Sequence, residues 1–301
     1  MAQPGNGSLQ LVAGRTRRLL SAYRRAGEAA AEAAEPRPEP AHGTNPAVAA
    51  FFDIDNTVIR GSSMFHFARG AAGRGLLTGR DIAGFASKQL RFALLGGEDL
   101  ADMAEAVEAG LTFVTGKPVS EIMDLAEYVF DDIMKDKLWP GTLDLAQRHL
   151  DAGEPVWLVS ATPVELARVI AQRLGFTGAL GTVSEVVDGR YTGVLVGHPL
   201  HGVAKAEAVR ALANRDGLDL QQCYAYSDSA NDLPLLSSVG HPVAVNPDSD
   251  LREQARDNSW PVYNFRRERA MTRVGIPAAA TAGLAAAAGV AVGIAVARRK
   301  P

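Results

Sequence analysis

The chain has a single cysteine, Cys223, among 301 residues. No internal disulfide can form, and a reducing compartment is the natural reading. It also lacks an excess of either charge. Lys and Arg number 31 against 34 Asp and Glu, a net of −3, which gives no reason to expect a nucleic-acid surface. There is no compact apolar run between a basic start and a cleavage site near the N-terminus, so a secretory signal is not expected. Long uncharged apolar stretches are scarce. The exception is residues 274–297, 24 positions without a charge, closed by Arg298-Arg299-Lys300.

As a helix, that stretch would be roughly 36 Å long, enough to cross a hydrocarbon core of ~30 Å. It is mostly Ala, with four Gly and Pro277, and seven strongly apolar residues, so its insertion is marginal. The alternative is an Ala-rich helix packed on the protein or frayed. Gly289 and Gly293 have the spacing that permits close helix contact in lipid. The expectation is a single-pass C-terminal anchor with lipid contact. The missing signal puts the body on the cytoplasmic face of the cell membrane, or in the cytoplasm if the helix does not span.

At the other end, residues 1–46 are rich in Ala, Arg, Glu and Pro. Residues 8 to about 35 are a candidate helix bearing Arg15, Arg17, Arg18, Arg24 and Arg25, before Pro36-Arg37-Pro38-Glu39-Pro40 imposes an extended linker. A flexible tail is expected. A basic arm resting on anionic lipid is the alternative.

Between the ends, short apolar runs alternate with helical stretches, the pattern of an α/β fold with a parallel sheet. Strands are expected at 47–54, 155–161, 223–227 and 242–246, and helices at 163–174, 205–213 and 232–239. An Asp-Gly pair inside 185–196 marks a hairpin. Residues 62–149 interrupt the alternation with helix after helix, expected at 64–72, 79–95, 99–113, 120–136 and 141–152. The expected organisation is a catalytic core of 47–61 and 150–265, with 62–149 as a helical cap that could shut water out of a site below.

Four short stretches carry the chemistry: Asp53-Ile54-Asp55-Asn56-Thr57, Ser160, Lys205, and Ser227-Asp228-Ser229-Ala230-Asn231-Asp232. The apolar run before Asp53 delivers two carboxylates, two residues apart, to a strand end, where open α/β sheets place their sites. Taken singly, each stretch has a plainer reading: a turn or helix cap for the first, a cap for Ser160, a solvated lysine for Lys205, a polar loop for 227–232. Their joint order at successive strand ends favours phosphoryl transfer. Asp53 suits a nucleophile, and Asp55 a general acid and then base. Thr57 and Ser160 offer hydroxyls and Lys205 a compact positive charge for phosphate oxygens. Clustered carboxylates facing a phosphate call for a divalent cation, and Mg²⁺ prefers such oxygen ligands. Asp228 supplies a further carboxylate, with Asp232 one helical turn on.

With these motifs, residues 47–255 resemble the haloacid dehalogenase superfamily, and within it the subfamily IB phosphatases that include phosphoserine phosphatases. The resemblance implies a Rossmann-like core with a helical cap inserted after the first motif. It implies Mg²⁺ held by the Asp53 side chain, the Asp55 backbone carbonyl and Asp228, with Asp232 behind them. It places Ser160 and the amide of Ala161 on phosphate oxygens, Lys205 on the phosphate and Asp53, and Asn231 near the phosphate. Asp55 also separates the chain from the ion-pump relatives, which carry Thr at that position.

One departure concerns the substrate. Phosphoserine phosphatases usually carry Glu nine residues after the nucleophile, where it meets the substrate ammonium; here that position is Ser62, followed by Ser63. After Ser160 stands Ala161-Thr162-Pro163 rather than a Gly-rich run. Both changes put L-phosphoserine in question and leave the phosphoryl chemistry intact. Arg69, Lys88 and Arg91 are candidate anion contacts in the cap, each with a solvated helix face as the plainer reading. The expected activity is Mg²⁺-dependent hydrolysis of a small phosphorylated metabolite. The competing functions are transfer to another alcohol and a membrane-bound protein that binds a phosphometabolite without turning it over.

Overall fold

The computed structural model describes residues 6–36, 45, 47–77 and 100–266. Its strands are β1 (Ala50–Phe52), β2 (Val156–Pro163), β3 (Gly178–Thr182), β4 (Ser184–Val187), β5 (Arg190–Leu195), β6 (Tyr224–Ser227), β7 (His241–Val245) and β8 (Val262–Tyr263). Six of them form one sheet in the order β3-β2-β1-β6-β7-β8, every pairing parallel. All residues of β1 and β3 are buried, as are the first five of β2. A parallel sheet covered on both faces requires such near-continuous apolar strands. The expected strands at 47–54, 155–161, 223–227 and 242–246 are therefore β1, β2, β6 and β7 with shifted ends.

The connection order sets where a site can lie. From β1 the chain steps outward through β2 to β3, then returns to the other side of β1 as β6 and continues to β7 and β8. The order thus reverses between β1 and β6, and the carboxyl ends of strands at such a switch point open a crevice.

Helices α1 (Asn6–Ala33), α2 (Ser63–Gly73), α3 (Leu100–Val114), α4 (Val119–Val129), α5 (Pro140–Asp151), α6 (Val164–Leu174), α7 (Val203–Asp216), α8 (Leu233–Leu236) and α9 (Ser249–Asp257) complete the fold. Phe51, Trp157, Val159, Leu180 and Ala225 share one buried cluster with Ala204, Ala208 and Leu212 of α7 and Ala26 and Ala30 of α1. On β1 and β6, Phe52 stacks on Tyr226 at 4.1 Å. Tyr226 in turn shares a 2.7 Å hydrogen bond with His149 of α5.

The N-terminal arm differs from the expected flexible tail. From Asn6 to Ala33 it is helix, and Ala26, Ala30, Ala31 and Ala34 are buried. Gly27 explains how so polar a segment docks. A Cβ there would lie 2.6 Å from the Glu207 carbonyl carbon, so only glycine lets α1 approach α7 this closely. Arg215, in the last turn of α7, caps the far end by donating to Ala31 O at 2.6 Å, Ala34 O at 3.2 Å and Glu35 O at 3.1 Å. Ala31 O is among the carbonyls a helix terminus leaves unpaired, and the other two follow just past that terminus.

The insertion after β1 is helical in its described parts. Beyond α4 the helix loosens into a π turn at Phe130–Met134 and a 3₁₀ turn at Lys135–Lys137. The β4–β5 hairpin turns at Asp188 and Gly189, with φ of 49° and 75°, the positive pair that a two-residue hairpin turn of this kind requires. It stays out of the main sheet and docks on the α3–α4 connection through Gly116 N–H to Tyr191 O, at 2.8 Å, and Tyr191 N–H to Lys117 O, at 3.1 Å. The helix expected at 79–95, with Lys88 and Arg91, and the apolar segment 274–297 lie outside the described residues. Among the described residues no helix is long and apolar enough to cross a membrane.

Candidate active site

The end of β1 is tightly specified. Past Phe52, Asp53 N–H still donates to Tyr226 O at 2.9 Å, so the ladder with β6 continues for one residue before the chain turns away. Ile54 O then accepts from Val58 N at 3.0 Å and Ile59 N at 2.9 Å. Asn56 takes φ 56°, tolerable because a short polar side chain bonds locally; its Oδ1 accepts Gly61 N–H at 3.0 Å. Since Phe52 pairs with Tyr226, Asp53 comes into register with Ser227, and Asp228 follows at once. Both sides of the switch point thus end in carboxylates.

Lys205, in the first turn of α7, reaches into this junction. Its Nζ donates to Asp53 Oδ1 at 2.6 Å and to Asp232 Oδ2 at 2.7 Å, and Ser227 Oγ donates to the same Asp232 oxygen at 2.7 Å. Asp53, Lys205 and Asp232 are 5%, 4% and 2% exposed. Burial pushes the Asp53 carboxyl up to about 7; Lys205 pulls against this, while Asp232 and Asp55 add to it. Burial works against the Lys205 charge as well, but Asp232 and Asp53 outweigh it and hold the ammonium well above the ordinary lysine value. The lysine stays charged.

Asp55 is also raised by burial, with hydrogen bonds from Ser63 and the charges of Lys205 and His66 pulling back. The Ser63 N–H donates to Asp55 Oδ1 at 2.9 Å. Asp228, 9% exposed, sits in a loop fixed by Asp248, whose N–H donates to Asp228 O at 2.8 Å and whose Oδ2 accepts Ala230 N–H at 2.9 Å. Asn231 turns its side-chain amide to Ser229 Oγ at 3.2 Å. Ser160 is buried near the end of β2, and Ala161 beside it is exposed, with its carbonyl accepting from Thr182 Oγ1 at 2.7 Å. Thr57 is fully buried; its Oγ1 has no hydrogen-bond partner among the described residues, while its carbonyl accepts from Thr142 Oγ1 at 2.7 Å. Arg69 is exposed on α2, in keeping with a solvated face.

The residues singled out by motif are thus gathered at the ends of β1, β2 and β6 and the start of α7. Others emerge only in three dimensions. Thr162 and Ser63 are buried against Ser160 and Asp55. His66, one turn into α2, places Nε2 3.0 Å from Arg60 O, while its Nδ1 is buried without a partner among the described residues. His201, four residues before Lys205, has its pKa lowered by burial and by the nearby lysine charge. The first three follow the motif stretches by a few residues, but nothing in their local sequence marks them.

Lys205 is shared by Asp53 and Asp232, and the Asp55 charge acts on Asp53 as well, so three carboxyl groups stand around one ammonium. Among the described residues no group of three His, Cys, Asp or Glu side chains forms a metal site. The set implied by the motif resemblance needs only two carboxylates, Asp53 and Asp228, plus the Asp55 carbonyl. Hard oxygen donors from clustered carboxyl groups suit Mg²⁺, so the residues present fit that ion.

Comparison with known proteins bears on the same region. Residues 50–237 match the family model of the haloacid dehalogenase-like hydrolases. The chain is 53% identical over 240 residues to phosphoserine phosphatase SerB1 of Mycobacterium tuberculosis, covering 80% of this chain and 78% of that one. It is 32% identical over 223 residues to a histidinol-phosphatase of Neisseria meningitidis, covering 72% and 98%. Among solved structures, a protein of unknown function from Bordetella pertussis superposes with a TM-score of 0.64 at 29% identity, covering 72% of this chain and 98% of that one.

Proposed function

The chain belongs to the haloacid dehalogenase-like hydrolases, and from that premise we propose that it hydrolyses a small phosphomonoester through an aspartyl-phosphate on Asp53, with Mg²⁺ bound. The observation that carries this reading is the buried Asp53–Lys205–Asp232 contact at the switch point between β1 and β6. An ordinary structural ion pair does not need a second carboxylate on the same lysine, nor two more acids at neighbouring strand ends.

In the proposed reaction an Asp53 carboxylate oxygen attacks phosphorus. The P–O bond to the alcohol breaks, and Asp55 gives its proton to the leaving oxygen. Burial, which raises the Asp55 pKa, favours the protonated form this step needs. Asp55 then takes a proton from the water that attacks the acyl phosphate, which restores Asp53 and releases inorganic phosphate. Lys205 spends two of its three N–H donors on Asp53 and Asp232, leaving the third for a non-bridging phosphate oxygen. Ser160, the Ala161 amide, Thr57 and Asn231 supply the remaining donors. Asp53, Asp228 and the Asp55 carbonyl would hold Mg²⁺, whose charge would offset the repulsion between the carboxylates and an anionic substrate.

The organic part of the substrate is a narrower question. The 53% identical relative is named a phosphoserine phosphatase and a more distant one a histidinol-phosphatase. Ser62 presents no carboxylate to an ammonium; its hydroxyl caps α2 by accepting Phe65 N–H at 3.3 Å. A panel of L-phosphoserine, histidinol phosphate and glycerol phosphates assayed in Mg²⁺ buffer separates these. Attachment to the inner face of a membrane through 274–297 rests on the sequence alone and is tested by carbonate extraction of membranes. The hydrolytic reading itself is tested with Asp53→Asn, expected to abolish turnover of an aryl phosphate; normal turnover would refute it.

A further inference from the structure

We propose that Ser63 and Thr162 are positioning residues that, with Ser160, form a chain of three hydroxyls aiming the Ser160 proton at the substrate phosphate. This rests on the phosphatase reading above. Ser63 Oγ lies 2.5 Å from Thr162 Oγ1, and Thr162 Oγ1 lies 2.9 Å from Ser160 Oγ. The three residues are 0%, 1% and 2% exposed, so solvent does not compete for these bonds.

A hydroxyl carries one proton and two lone pairs, and that fixes the order of donation. The Thr162 N–H donates to Ser160 Oγ at 3.2 Å, which occupies one lone pair. When Thr162 Oγ1 donates as well, the second is occupied, and the only bonding capacity left on Ser160 is its own proton. Thr162 can give its proton away and still be satisfied when Ser63 Oγ donates to it rather than to Asp55, whose Oδ1 keeps the Ser63 main-chain N–H at 2.9 Å either way. An anionic phosphate oxygen therefore selects one order: Ser63 to Thr162 to Ser160 to phosphate. Each bond polarises the next in a buried chain. Ser63 is also the first residue of α2, and its main-chain N–H holds Asp55 Oδ1. The first turn of the cap thereby ties the acid at one strand end to the phosphate donor at another.

The test uses the full chain in Mg²⁺ buffer, an aryl phosphate as substrate and inorganic phosphate as competitive inhibitor. Thr162→Val and Ser63→Ala each remove one hydroxyl, and Ser63→Ala keeps the main-chain bond to Asp55. Each is expected to raise KM and the phosphate inhibition constant about tenfold, with a smaller fall in kcat, as the loss of one charge-assisted hydrogen bond would. Thr162→Ser is expected to restore both constants. In a Ser160→Ala background neither substitution should weaken phosphate further, because both act through Ser160. An unchanged inhibition constant in Thr162→Val and Ser63→Ala, no rescue by Thr162→Ser, or an undiminished effect in the Ser160→Ala background overturns the chain. If Asp53→Asn is inactive while Thr162→Val binds phosphate normally, only the hydroxyl chain fails; an active Asp53→Asn removes the phosphatase reading beneath it.

Discussion

Replacing Lys205 by Met keeps the length of the stem and removes the charge that two buried carboxylates share. Asp53 and Asp232 lie 2.6 and 2.7 Å from the ammonium and are almost wholly out of water. Removing one partner from such a group costs about 3–5 kcal/mol, because the remaining charges stay buried without compensation. The dependence on pH carries the sharper test. Asp53 is raised to about 7 by burial even with the lysine pulling it down, so without the lysine it rises further. A carboxyl whose folded pKa exceeds its unfolded value binds more protons when folded, and its contribution to stability is lost as pH rises through the folded value. In metal-free wild-type protein that loss is complete a little above pH 7. In Lys205→Met it continues, so the deficit widens between pH 7 and 9, by at most ~1.4 kcal/mol per pH unit for one proton. Urea unfolding of both proteins at pH 6.5 and 8.5 in a chelator measures it. A deficit that is equal at the two values, or smaller at the higher one, refutes the argument that Lys205 compensates the Asp53 charge.

Two further substitutions probe the surroundings. Gly27→Ala places a Cβ 2.6 Å from the Glu207 carbonyl carbon and 2.7 Å from Ala208 N, backbone atoms that cannot swing away. The expected cost is ~1–3 kcal/mol, seen as a lower urea midpoint with turnover per folded molecule unchanged; an unaltered midpoint means α1 is not seated on α7. Ser62→Glu restores a carboxylate nine residues after Asp53 at the expense of a helix cap, a loss of ~1 kcal/mol. It is expected to raise kcat/KM for L-phosphoserine relative to glycerol phosphate, since the substrate ammonium gains a charge partner. An unchanged ratio shows that position 62 does not meet the substrate.

The parts of the fold legible in the sequence are those where burial on both faces of the sheet demands large apolar side chains. Ala50-Phe51-Phe52 and Val156-Trp157-Leu158-Val159 are such runs, and they are β1 and the first half of β2. β3 escapes the same reasoning although it is equally buried. Its Gly178 and Gly181 stand where a Cβ would lie 2.6 Å from the Trp157 ring and from the Val164 Cα, so close packing replaces the bulky residues that would have announced a strand. The second half of α1 is hidden for a related reason. Its contact face is Ala26, Gly27, Ala30 and Ala31, with Ala34 just past its end, a stripe too small to read as a core.

At the site the balance is different. Asp53, Asp55, Asp228 and Lys205 are recognisable because their chemistry is tied to spacing along the chain and to strand ends. Which carboxylate shares the lysine is not a matter of spacing: Asp232 does, through a 3₁₀ turn that begins with Ser229 capping Asn231. The hydroxyls of Ser63 and Thr162 are 99 residues apart and meet only because α2 begins beside the end of β2. The two kinds of information converge at Phe52. The apolar run that makes β1 detectable also takes Asp53 out of water, and this desolvation raises its pKa against the pull of Lys205. A carboxylate so buried depends on Lys205 to remain ionised near neutral pH, so the core that hides the strand also sets the charge balance at its end.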